Sequence, residues 1–222
     1  MKVEDGKQKL FQVCQTEEGE LERLIAVNGQ PLSPQQAHAE DRLIQKLLTH
    51  PDEIRQKQRK EREDGEQARK LLQTFPQALR FQYNGTEGNL VRVKFTPNPK
   101  FHPSGHVEQV FHHMEGELVL DGQAKRLAEI SGSLTSEVKF AGGLFGHLDQ
   151  GGTFVVKQQE VGAHCWEVTT MHVHMSGKAL FFKTISVRHD EEHTNFRQVP
   201  AGTSLQQAAE LLKREAASQA GS

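Results

Sequence analysis

Absences narrow this chain first. It has two cysteines, Cys14 and Cys165, far apart and outside any CxxC, so neither a disulfide framework nor a thiolate zinc site is available. Both are expected to be buried thiols, the alternative being a disulfide between them, which needs an oxidising compartment and apposed strands. One tyrosine and one tryptophan stand against twelve phenylalanines, so most aromatic rings here lack a polar tip and belong in dry places. No apolar run reaches the ~18 residues of a membrane-spanning helix, and MKVEDGKQKL has no apolar signal core. Neither sign of charge prevails: 27 Lys and Arg balance 29 Asp and Glu, a net charge of −2. Bulk attraction to nucleic acid is therefore excluded.

Nucleophilic and phosphate-binding signatures are also missing. There is no GxSxG. The glycines of Gly142 to Gly146 are followed by no Lys and no helix of the kind a phosphate loop needs, so they read as a bend. His164 and Cys165 would point to opposite faces of a strand and cannot form a dyad. Glu108, Glu115 and Glu117 crowd strand ends without forming an acid–base pair. No enzyme activity and no cofactor are expected.

What is present centres on Gly151 to Arg188, rich in Val, Ile, Thr and Phe and read as three strands. Turns are expected at Gly162-Ala163 and at Ser176-Gly177-Lys178. Upstream, Phe81–Tyr83, Asn89–Thr96, His106–Met114, Glu117–Leu120, Lys125–Leu134 and Val138–Phe140 are further strands. Turns at Asn84-Gly85, Glu87-Gly88 and Asp121-Gly122 separate several of them. Lys9–Thr16 and Leu21–Val27 make an N-terminal hairpin.

Helical signals are local and strong. Ser33, Pro34 and Gln36 form a capping box with proline at the first helical position, predicting a helix from Pro34 to about Thr49. Pro51 restarts it. From Asp52 to Lys70, seven basic and six acidic residues predict a solvated helix. Thr203 to Gln206 reads as a second box opening a short last helix. The expectation is one α+β domain: hairpin 1–32, helical segment 33–79, antiparallel sheet 80–199, C-terminal helix 203–216 and tail 217–222. A sheet of roughly eight to eleven strands is expected to curl into a half-barrel over the helices.

Two patterns bear on function. His172 and His174 share a strand face, the spacing a metal pair uses, with His112 or His113 as a third ligand. Arg188 to His193 (RHDEEH) reads as an exposed loop, and polar strand histidines are the simpler account. Bulky apolar groups on both faces are the stronger pattern: Val110 and Phe111, Val155 and Val156, Phe181 and Phe182. A second apolar face needs another layer, a partner or an apolar ligand. The residues expected to line such a ligand cavity are Val91, Val93, Phe95, Val110, Phe154, Val156, Phe181 and Ile185. The alternatives are a partner-binding role for the charged helix 52–70, and metal binding by His172 and His174.

The segments Leu24–Pro34 (LIAVNGQPLSP), Val91–Pro99 (VRVKFTPNP), Met114–Leu118 (MEGEL), Leu148–Phe154 (LDQGGTF) and Leu180–Val187 (LFFKTISV) together resemble a group of uncharacterised bacterial envelope proteins. That group is similar in architecture to the lipoprotein-sorting superfamily of Lol-type periplasmic carriers and outer-membrane receptors. The resemblance implies a curved antiparallel sheet over helices with an apolar cavity for lipid or lipoprotein acyl chains. It also implies residence in the periplasm or cell envelope after signal removal, with peripheral membrane contact and no catalytic residues.

Overall fold

A computed structural model describes the chain except residues 5, 106, 141, 143–145, 163, 180–182 and 221–222. The side chains of 4, 51, 107, 179, 183–185 and 219–220 also lie outside the description. The described residues form an α+β protein of thirteen strands, three α-helices and one 3-10 helix. They divide into two compact units, Met1–Arg69 with Arg197–Ser222, and Lys70–Phe196.

The first unit carries β1 (Lys2–Glu4), β2 (Lys7–Thr16), β3 (Gly19–Val27) and β4 (Gln30–Pro31) in the order β4-β3-β2-β1, all antiparallel. The β2–β3 hairpin forms as its sequence predicts, with Thr16 Oγ1 donating to the Gly19 carbonyl at 2.8 Å. Cys14 and Leu21 face each other across the hairpin and point into the core. Helix α1 (Pro34–Thr49) has the predicted bounds. The Gln36 N–H donates to Ser33 Oγ and the Ser33 N–H donates to Gln36 Oε1. Ile44 of α1, Ile54 of α2 (Pro51–Ala78) and Leu205, Ala208 and Leu212 of α3 (Leu205–Ala220) complete this core. Two charge clusters hold its rim. Arg23 is buried and donates to Asp41 at 2.7 Å, while Lys57 bridges Glu20 and Glu22, with Lys2 on Glu22 as well.

Two helical expectations shift. The α3 cap is Ser204 with Gln207, one residue beyond the predicted box. The helix also runs past 216 to Ala220, because Glu215-Ala-Ala-Ser-Gln-Ala contains no breaker and is good helix sequence. Along α2, every residue from Arg59 to Lys70 is exposed, as the charge run predicts, and Pro76 lies inside its last turns.

The second unit begins with the end of α2 and continues through β5 (Leu79–Glu87), β6 (Leu90–Pro97) and the 3-10 helix Val107–His113. Then follow β7 (Met114–Asp121), β8 (Arg126–Leu134), β9 (Val138–Phe140), β10 (Gly146–Leu148), β11 (Thr153–Gly162), β12 (Cys165–Ala179) and β13 (Lys183–Glu192). The order is β13-β12-β11-β8-β7-β6-β5, with β10 joining β12 to β9. Phe95, Leu118, Leu134 and Val138 form the core, covered by Leu71, Phe75 and Ala78 of α2 and by Phe111 of the 3-10 helix. Phe75 and Phe111 meet edge to face, centroids 5.4 Å apart.

Several sequence expectations are corrected here. Val107–His113, expected as strand, form the 3-10 helix, and Met114 opens β7; Glu108 in the first turn of that helix accepts from the Ser104 N–H at 2.6 Å and from its hydroxyl at 2.8 Å. Ser176-Gly177-Lys178 is not a turn but the interior of β12. Gly177 is there because β10 approaches so closely that a Cβ would overlap the His147 carbonyl. Asn84-Gly85 is an irregularity within β5, and the turn comes at Gly88. Arg188 to Glu192 belongs to β13 rather than to a loop, held by its ladder to β12. Cys165 is exposed, and only Cys14 is buried; both are free. Most of the glycine-rich bend at 142–146 and the Ala163 turn position lie outside the described residues.

Candidate functional site

Strand alternation and register give the sheet of the second unit two unlike faces. On one, Tyr83, Val93, Leu118, Ile130, Val156, Met171 and Glu191 stand opposite one another in a single row crossing seven strands. The adjacent row on that face is Phe81, Phe95, Gly116, Gly132, Phe154, Val173 and His189. In its centre two aromatic rings lie over two glycines. A Cβ on Gly116 would come within 2.7 Å of the Phe95 ring, and one on Gly132 within 2.7 Å of the Phe154 ring.

The predicted cavity residues are spread over this face unequally. Phe95 is 1% exposed and belongs to the core, which removes it from any ligand surface. Val93, Val110 and Phe154 are half-buried and packed against that core. Val110 comes from the 3-10 helix rather than from a strand. Val91 and Val156 are half-buried on the same face. Ile185 pairs with Gly177 in β13, but its side chain lies outside the described residues, as does Phe181 altogether. Ile130, Met171 and Leu120, which are not among the expected lining residues, join this face through the register; Leu120 is 36% exposed. The parity of β8 and β12 could have supplied the first two.

The opposite face is polar. Its row Gln82, Lys94, Glu117, Ser131, Val155, His172 and Asp190 carries charge partners at both ends. Arg92 donates to Glu117 at 3.0 Å, and Lys157 lies 3.2 Å from Glu129. Asp190 Oδ1 is 2.9 Å from His172 Nδ1 and 2.6 Å from His174 Nε2, while Oδ2 accepts from Arg188 Nε at 3.0 Å. Arg188 first, then the two imidazoles, holds the Asp190 carboxyl at about 2. Back on the apolar face, Glu191 accepts from His189 and His193, each at 2.9 Å.

This arrangement satisfies a carboxylate rather than opening a metal site. Both imidazoles aim at one Asp190 oxygen, and among the described residues no three His, Cys, Asp or Glu side chains are placed to hold a metal ion. Of the two expected third ligands, His113 bonds instead to Ser136 Oγ at 2.7 Å, and the His112 ring lies against Phe101, centroids 5.9 Å apart. Neither thiol is activated. Burial and then Glu215 push Cys14 up, and desolvation and then Glu167 do the same to Cys165. A separate open groove of about 280 Å³ in the first unit, lined by Gln15 to Glu17 and Val199 to Thr203, brings together no catalytic group. Among the described residues no helix is long and apolar enough to cross a membrane.

No family model, no curated protein and no solved structure matches the chain.

Proposed function

We propose that this protein is a non-catalytic binding module that holds an apolar ligand, such as a lipid or lipoprotein acyl chain, against the apolar face of β5 to β12. One observation supports the reading: Val93, Ile130, Val156 and Met171 share one row across the sheet, with the buried Leu118 between Val93 and Ile130, and each of the four side chains remains half-buried. In the neighbouring row Phe95 is buried in one cluster with Leu71, Phe75 and Phe111, while Phe154 and Val173 are half-buried. Burying each further CH₂ group contributes about 0.8 kcal/mol, so an acyl chain along this row would gain useful affinity without any polar contact. A strongly curved sheet and a place in the cell envelope, as in the Lol-type carriers, belong to the same proposal.

The test is to extract purified protein with organic solvent, identify lipid by mass spectrometry, and titrate the stripped protein with an apolar fluorophore. Val156→Arg puts a charge into the middle of the row and is expected to abolish fluorophore binding while leaving the circular dichroism unchanged. Stripped protein that binds no fluorophore, together with extracts free of lipid, would remove the reading.

A further inference from the structure

We propose that β5 pairs antiparallel with β5 of a second copy of this chain, giving a two-fold dimer with Tyr83 on the axis. β5 stands at one end of the strand order, and among the described residues its only ladder is to β6. Its outer N–H and C=O groups are therefore open to another strand. The side chains agree: Phe81 is 42% exposed and Tyr83 66%, the two largest apolar surfaces that β5 presents. Arg80 and Gln82 between and beside them are exposed as well.

The occupant is argued from charge and register. Measured along β6, β5 carries one extra residue between Tyr83 and Thr86, because Tyr83 pairs with Val93 and Thr86 with Val91. Arg80 pairs with Thr96 and Glu87 with Leu90, so the two charges stand at equal distances on either side of Tyr83 and on the same face. A two-fold axis through Tyr83 sets Arg80 of each copy opposite Glu87 of the other. The same axis puts Phe81 opposite Thr86 of the second copy and the two Tyr83 rings side by side, pairings that favour antiparallel strands. Among the described residues Arg80 makes no ion pair, and Glu87 is 80% exposed, its only cationic neighbour being Arg92 at 3.6 Å. The bulge at Asn84-Gly85 is accommodated because it falls opposite Gln82 of the second copy. The strand is thus complementary to itself, as an isologous interface requires. This inference does not depend on the apolar ligand.

Sedimentation velocity of the full chain over a concentration series is the deciding measurement. A reversible dimer is expected. Arg80→Glu should weaken it by about tenfold or more, the scale of like charges placed opposite one another. Tyr83→Lys should do the same, and the exchange Arg80→Glu with Glu87→Arg should restore association. These side chains are exposed, so circular dichroism of the variants should match the parent. A monomer at every concentration would overturn the proposal. So would a dimer indifferent to Arg80→Glu and Tyr83→Lys, or a double variant no tighter than Arg80→Glu alone.

Discussion

Gly132 has no room for a side chain. An added Cβ would stand 2.6 Å from the Glu115 carbonyl oxygen on the facing strand and 2.7 Å from the Phe154 ring. The ring can swing away, but the backbone of a central strand cannot. Gly132→Ala is therefore expected to destabilise the chain by about 1–3 kcal/mol, read from the urea midpoint, the range of overpacking in a filled interior. Gly177 shows the same physics from the sequence side. As letters, Ser-Gly-Lys is a turn; in the folded chain it is strand, because the third strand β10 comes close at that point. Local residue preference contains no information about such an approach. The Asp190 cluster was half legible for a related reason: alternation alone puts His172 and His174 on one face. Only the β12–β13 register supplies the carboxylate between them.

Among the elements, α1 was readable to the residue because its start rests on Ser33, Pro34 and Gln36, four positions of chain with no distant partner. The 3-10 helix Val107–His113 was not, since alternating Val, Phe and Met also fit a strand and what decides is Phe111 entering the core beside Phe75. Helix α2 lies between these cases. Its charged stretch predicts exposure correctly, but nothing in that stretch predicts its strength. At its centre Gly65 has, beyond its own turns of helix backbone, no atom within 4 Å of where a Cβ would stand. Gly65→Ala is expected to stabilise the helix by about 1 kcal/mol, the difference in helix propensity. Hydrogen exchange of residues 59–69 would report it as slower exchange confined to that stretch; unchanged rates would show that propensity does not limit the helix there.

Over the whole molecule, each unit carries a carboxylate held far below its ordinary range. Asp190 sits at about 2 through Arg188 and the imidazoles. Burial alone would raise Glu22, but Lys57 and Lys2 outweigh it and hold it at about 2 as well. In the unfolded chain the two groups titrate near about 3.9 and 4.3. Above those values both are ionised in either state and their contribution to stability is fully present. As pH falls from about 4 toward 2 the unfolded chain takes up protons first, and stability declines. Urea midpoints should therefore drop across this window, and Asp190→Asn or Glu22→Gln should each flatten the fall. A slope identical to the parent in both variants would contradict these assignments. Sequence reading could count charges but not place them: Lys57 and Glu22 are 35 residues apart and meet only because Ile54 seats α2 on the β2–β3 hairpin.

Gly116 and Gly132 are each enclosed twice, by a phenylalanine ring on one side and by the facing backbone on the other. A smaller side chain at 154 or 95 would open only one side of each glycine, because the Glu115 carbonyl oxygen still blocks a Cβ at 132 and the Ser131 carbonyl oxygen one at 116. In an alignment of descendants both columns should therefore stay glycine while 95 and 154 vary.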